Sequence, residues 1–314
     1  MPRQQCAGAV LMVKPAAFGY NPETASTNHL QRPDDDADTP GQINARARAE
    51  FSALMQALES EGIAVCAVED TPSPVKPDAT FPNNWVSFHE DGTLVLYPVL
   101  APSRRVERRP EVIATAIERL GFKARRTVDL THHERDGRFL EGTGSLVLDH
   151  VNRLAYAALS ARTHPAVLEE WARELAYEVI SFETRDAADA PLYHTNVLMC
   201  IGARLVVVGT GAIVRRDRTR VLERLAASGR EIIELQPAEV RSFAGNMLEL
   251  ATWDEALGDS HVLVMSARAR AALSVATFGR LSACTDTTLA IPVPTIEKVG
   301  GGSVRCMLAE VFLQ

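Results

Sequence analysis

The chain has 314 residues, 46% of them hydrophobic and 23% charged, with a formal net charge of −7. This is the composition of a soluble globular protein with material for a sizeable core, in one large domain or two ordinary ones. The acidic balance argues against a nucleic-acid-binding face and favours a small-molecule partner.

In chain order, the first apolar stretch, Ala7 to Val13, gives a strand over Ala9 to Val13. Lys14 and Pro15 interrupt it, so it is too short for a signal peptide, and no window reaches membrane-spanning length. A polar insertion follows from Gly19 to Gly41, with Asn21-Pro22, Asp34-Asp35-Asp36 and Pro40-Gly41, of the type that makes lids or mobile loops. Its Asn21 and His29 are open to contact with substrate, but solvated loop polarity is the preferred reading. A helix is expected over Ala45 to Ser60.

Five segments then run from a polar or small-residue approach into a short apolar strand. They begin at Phe81-Pro82-Asn83-Asn84-Trp85, Glu141-Gly142-Thr143-Gly144-Ser145, His194-Thr195-Asn196-Val197, Phe243-Ala244-Gly245-Asn246-Met247 and Gly302-Ser303-Val304-Arg305-Cys306. With Asn84, Ser145, Asn196, Asn246 and Cys306 as markers, the steps are 61, 51, 50 and 60 residues, a period typical of repeated supersecondary units. A second strand follows the first four markers (Leu94 to Val99, Leu154 to Leu159, Leu205 to Val208, Val262 to Met265). Helix-like periodicity comes next, over Glu111 to Leu120, Pro165 to Tyr177, Asp217 to Ala227 and roughly Ala267 to Phe278. A third strand reads after several of these, as in Tyr177 to Phe182 and Glu231 to Leu235. The fifth unit stops after its first strand, and the N-terminal strand and helix would complete it. The fold class expected is therefore α/β: five ββαβ units closed into a five-fold pseudo-symmetric propeller, one domain over 1–314, with the markers at one end of a central channel. Thr131-His132-His133-Glu134-Arg135-Asp136-Gly137 falls outside the repeat and reads as an exposed hairpin or loop.

If the five approaches meet, Cys306, His194 and Glu141 become neighbours. An ordinary thiol is only roughly 3% thiolate at neutral pH, so a reactive one needs a proton acceptor or cation beside it. His194 can be either, and a carboxylate such as Glu141 fixes the imidazole's tautomer. Gly300-Gly301-Gly302 before Cys306 allows close approach of another molecule to the backbone. Cys66 and Cys200 lie in apolar runs and read as core. Five cysteines without close pairing or ligand spacing suit reduced thiols and a cytoplasmic location. His132-His133 with Glu134 and Asp136 is a weak ligand set, so neither metal nor cofactor is expected.

The chain resembles the guanidine-modifying, or pentein, superfamily, in particular arginine deiminase-related proteins of the citrulline utilisation hydrolase type. The resemblance is carried by Asp78-Ala79-Thr80-Phe81-Pro82-Asn83-Asn84-Trp85, Ala101-Pro102-Ser103-Arg104-Arg105, Leu140-Glu141-Gly142-Thr143-Gly144-Ser145, Leu159-Ser160-Ala161-Arg162-Thr163, His194-Thr195-Asn196-Val197 and Gly300-Gly301-Gly302-Ser303-Val304-Arg305-Cys306-Met307, in family order over nearly the whole chain. It implies Cys306 as nucleophile, His194 as general acid and base, Glu141 as the carboxylate partnering His194, and Asp78 as the carboxylate holding a guanidinium. Arg104, Arg105 and Arg162 match positions that bind a substrate α-carboxylate, with Arg104 and Arg105 not separated.

Arginine deiminases carry an aspartate where Asn196 stands, and relatives commonly carry one at the turn holding Asn84. An amide there offers donor and acceptor without charge, which suits a substrate less strictly cationic than arginine, such as the ureido compound citrulline. The activity implied is hydrolysis at the guanidino or ureido carbon of an arginine- or citrulline-like amino acid through a covalent Cys306 thioether. Three alternatives stand beside it: an amidinotransferase with the same residues, a non-catalytic binding protein on the same fold, and an unrelated thiol amidase with no need of Asp78. A homo-oligomer is compatible with the sequence.

Overall fold

The computed structural model describes residues 4–34, 38–186, 188–254 and 258–313. Its strands are β1 (Ala9–Lys14), β2 (Ala64–Glu69), β3 (Val86–Phe88), β4 (Thr93–Leu96), β5 (Arg126–Asp129), β6 (Val147–Asp149), β7 (Leu154–Ala158), β8 (Glu178–Phe182), β9 (Met199–Ile201), β10 (Leu205–Val208), β11 (Glu231–Glu234), β12 (Leu248–Asp254), β13 (Gly258–Ser266), β14 (Thr287–Ile291) and β15 (Ala309–Val311). They form a mixed α/β fold. In each of β3-β4-β5, β6-β7-β8, β9-β10-β11 and β12-β13-β14, the first two strands pair antiparallel and the third returns parallel to the second after a helical crossover. The crossovers are the helices Pro110–Leu120, Pro165–Leu175 and Arg215–Ala226, with Ala267–Ala272 and Val275–Ala283 in the last. The chain termini build a fifth such unit: β15 pairs antiparallel with β1, and β1 parallel with β2 across the helix Pro40–Ser60. β15 also meets β3 at Val311 and Phe88, so the first and fifth units share one six-stranded sheet.

Burial explains which strands were visible in the sequence. The middle strands β1, β7 and β10 are buried along nearly their whole length and read as continuous apolar runs. The third strands bury few residues: only Val128 in β5, and none of the five in β14. Their composition, Arg-Thr-Val-Asp and Thr-Thr-Leu-Ala-Ile, is that of exposed edges, and the sequence reading passes over both.

Three local expectations are corrected. The polar approaches are single helical turns, over Pro82–Asn84, Gly142–Ser145, Thr195–Val197 and Val304–Met307, and the strand starts two residues later. Short-range backbone bonds close these turns, such as Leu198 N to Thr195 O at 2.9 Å and Cys306 N to Ser303 O at 3.0 Å, so Cys306 sits in a turn and not at a strand mouth. The helix expected over Ala267 to Phe278 breaks where Ser274 caps a second helix by accepting from Thr277 N at 3.0 Å. Residues 131–137 are no hairpin: Thr131–Asp136 is a 3-10 helix ended by Gly137 at φ 66°.

Of the segment 19–41, residues 35–37 lie outside the described residues. The rest is partly buried. Asn21 caps the short helix Pro22–Ala25, and Asn21, Thr24, Asn28 and Gln31 are buried, whereas His29 is exposed. Among the described residues, no helix is long and apolar enough to cross a membrane.

Gly142 joins the first two units. It adopts φ 45°, and a Cβ there would lie 2.1 Å from the Asn83 carbonyl oxygen. Left-handed strain and overpacking together predict that Gly142→Ala costs about 3 kcal/mol in urea unfolding; an unchanged midpoint would contradict this packing.

Candidate functional site

The turns and adjoining loops direct their polar side chains to one buried place. A cavity there is lined by Thr24, Asn28, Asp78, Phe81, Asn84, Arg104, Arg162, Tyr193, His194, Gly300 to Gly302 and Cys306. Its free space is ≈ 20 Å³, room for about one water molecule and far too little for an amino acid. Residues 21–28 contribute to its wall: Asn28 Nδ2 donates to Gly301 O at 3.1 Å, and the Tyr193 hydroxyl donates to the same carbonyl.

Glu141, wholly buried, is the hub. Its Oε2 accepts from His194 Nε2 at 2.9 Å and Arg162 Nη1 at 3.2 Å, and its Oε1 from the Leu100 backbone N–H at 3.0 Å. Burial pushes this carboxyl's pKa upward, but Arg162 and His194 outweigh it and hold the group well below the usual carboxylate range. His194 moves down to about 4, because burial opposes its charge more than Glu141 supports it. The imidazole is therefore neutral near pH 7. Its Nε2–H points at Glu141, so the Nδ1 lone pair is left for a proton. Gly144 makes room for the ring: a Cβ there would lie 2.7 Å from His194 Cε1 and Nδ1.

Asp78 follows a loop tied down by Lys76, whose ammonium donates to Thr71 O, Thr71 Oγ1 and Pro74 O at 2.7 to 2.9 Å and pairs with Asp70 at 3.2 Å. Asp78 Oδ2 accepts from Asn21 Nδ2 at 2.7 Å and lies 3.9 Å from Arg104 Nε. Burial raises its pKa, with Arg104 and Asn21 opposing.

The structure separates the two adjacent arginines. Arg104 is buried in the site; Arg105 points away, 3.3 Å from Glu134, and lines no part of this cavity. Arg104 is held by both oxygens of Glu107 at 2.9 and 3.0 Å, by Asn84 Oδ1 at 2.7 Å and by Phe81 O at 3.3 Å. Arg162 is bound to Thr24 O and Thr27 Oγ1 as well as Glu141. Each guanidinium has five N–H donors, and these partners take four of them in each; Arg104 Nη1 also lies 3.8 Å from Glu141 Oε2.

Cys306 Sγ is approached by two amides, Asn246 Nδ2 at 3.3 Å and Asn196 Nδ2 at 3.6 Å. Asn21, Thr24, Asn28, Glu107 and Tyr193 also belong to this site; the sequence reading preferred solvated polarity to substrate contact for Asn21 and gave the other four no role. Asn21-Pro22 is the one retrospective signal, a capping residue before a proline at the start of a short helix.

His132, His133, Glu134 and Asp136 do not assemble. Glu134 pairs with Arg108 at 2.6 Å, while donor atoms of His132, His133 and Glu170 lie within 4.8 Å of one another at a separate place.

A family model described as N,N dimethylarginine dimethylhydrolase, eukaryotic, matches residues 14–313. The chain belongs to this family. It is a pentein, related to arginine deiminases. Among solved structures, the N-terminal domain of ArgZ, an arginine dihydrolase from the ornithine-ammonia cycle in cyanobacteria, matches with TM-score 0.73 and 17% identity over 97% of this chain and 98% of that one. AgrE in complex with ornithine and NAD+ matches with TM-score 0.72 and 20% identity over 98% of this chain and 39% of that one. A dimethylarginine dimethylaminohydrolase bearing a chloropyridine adduct matches with TM-score 0.62 and 14% identity over 97% and 99%. At these identities the likeness is one of fold. No curated protein matches the chain significantly.

Glu107 carries a pH prediction. Burial raises its pKa to about 7 from 4.5, with Arg104 opposing and Asp78 and Glu141 reinforcing. A carboxyl raised on folding contributes stability that is present below its unfolded pKa and lost as pH rises through the folded one. Between pH 4.5 and 7, wild type should therefore lose on the order of 3 kcal/mol relative to Glu107→Gln. Parallel stability curves for the two proteins would refute the shift.

Proposed function

We propose that the protein is a cysteine-dependent hydrolase acting on the terminal carbon of a guanidino or ureido amino acid, with a citrulline-like ureido compound as the preferred substrate. The observation that carries the reading is the set of amides at Cys306. Asn196 and Asn246 bring uncharged amides to the sulfur, which suit a neutral ureido carbon better than a guanidinium. Family membership and the dihydrolase activity of ArgZ support chemistry at such a carbon.

In this mechanism Cys306 Sγ bonds to the ureido carbon while His194 Nδ1 takes the thiol proton. Glu141 steadies the imidazolium as it forms. Collapse breaks the bond to the δ-nitrogen, and His194 returns the proton to the departing amine. What remains is an S-carbamoyl cysteine, the ureido counterpart of the thioether formed from a guanidinium. His194 Nδ1 next deprotonates a water, which adds to the carbamoyl carbon. Loss of the sulfur with its proton releases carbamic acid, which breaks down to carbon dioxide and ammonia. Asp78 holds the terminal nitrogen, and Arg104 and Arg162 each offer one remaining donor to the α-carboxylate.

The closed five-bladed propeller is part of the proposal. It is supported by links between successive units: Gly142 against Asn83, Thr195 Oγ1 to Ser145 O, Asn246 Nδ2 to Asn196 O, Arg305 N to Asn246 Oδ1, and β15 beside β3. We also assign the segment containing Asn21 to Asn28 as a lid that swings out to admit substrate, since the cavity has no room for one while the segment is in place.

Product analysis with citrulline and with arginine, each with and without an amine acceptor, tests the reading. Ornithine and ammonia are expected from citrulline without acceptor, at a rate that falls by roughly 10⁴-fold or more in Cys306→Ala. Turnover of arginine alone, or turnover that survives Cys306→Ala, would reject it.

A further inference from the structure

Asn246, like Ser145, is a repeat marker to which the sequence assigned no chemistry, and its side chain is tightly held. It is fully buried. Its Oδ1 accepts from the Arg305 backbone N–H at 3.1 Å, which fixes the orientation of the amide, because a flipped one would set N–H against N–H. Its Nδ2 therefore faces the other way, to Asn196 O at 3.0 Å and Cys306 Sγ at 3.3 Å. The preceding glycine permits this placement: a Cβ on Gly245 would fall 2.4 Å from Val197 O and 2.6 Å from Leu198 C.

The surroundings make such a donor matter. Asp78 and Glu141 carry negative charge into the site and oppose a thiolate. The positive groups are committed elsewhere, Arg104 to Glu107 and Asn84, and Arg162 to Glu141, Thr24 and Thr27. His194 is neutral near pH 7, because burial holds it down to about 4, so no imidazolium balances the sulfur at rest.

We propose that the Asn246 amide is a catalytic hydrogen-bond donor to the Cys306 sulfur, stabilising its thiolate in the free enzyme. The inference rests on Cys306 being the nucleophile of the proposed function. Its test needs no substrate, so turnover of arginine alone would leave it standing, whereas turnover that survives Cys306→Ala would remove its premise.

Carboxamidomethylation of Cys306 by iodoacetamide, followed by peptide mass spectrometry across pH, reads the thiolate directly. In Asn246→Ala the midpoint should rise by about one pH unit, corresponding to a reaction about tenfold slower near pH 7. Asn246→Asp keeps an acceptor for the Arg305 N–H but places a carboxyl at the sulfur, and its midpoint should rise further. Thermal midpoints measured alongside separate the alternatives. Variants that lose only thermal stability, that fold with the wild-type alkylation profile, or that fail to fold at all would make Asn246 purely structural and overturn the proposal.

Discussion

The site depends on the burial of one ionised carboxylate. Glu141 has no contact with water, so it stays charged only because a guanidinium, an imidazole and a backbone N–H meet it. Those donors come from the segments around Arg162, His194 and Leu100. Replacing any of them leaves a buried charge uncompensated, so the carboxylate ties the first three units to each other while it orients the histidine. Stability and the orientation of His194 share a single interaction.

The same constraint spreads outward. With Arg162 drawn to Glu141 and to the segment over the cavity, and Arg104 clasped by Glu107, the two cations act mainly as counter-charges. Around the sulfur, amides remain. A neutral imidazole and two amide donors stand near it, with Asp78 sharing Asn21 and Glu141 sharing Arg162 and His194. The segment 21–28 brings Thr24 and Asn28 to the cavity wall and Asn21 to Asp78.

Much of this architecture was legible in the chain because a buried middle strand writes itself as an apolar run. Leu205 to Val208 is an example, and its spacing from its counterparts exposed the repeat. The third strands β5 and β14 escaped because an edge with few buried side chains, Val128 alone in β5, looks like any polar loop. The gathering of Cys306, His194, Glu141 and Asp78 could be read from equivalent repeat positions and from the family motifs. Two things could not. Arg104 and Arg105 are the same residue type side by side, and only the direction of a helical turn sends one inward and the other to Glu134. The segment from Asn21 to Gln31 is polar in composition, and its burial depends on partners such as Asp78 and Gly301 far along the chain.

The central claim is that Cys306 forms a covalent bond to the substrate's terminal carbon. The most direct measurement is acid quenching of the enzyme during turnover of citrulline, followed by peptide mapping by mass spectrometry. The account predicts a mass increase of one carbamoyl group on the peptide containing Cys306, absent from Cys306→Ala and lost as citrulline is consumed. Turnover with an unmodified Cys306 peptide at every quench time, or the same adduct in the alanine variant, would contradict it.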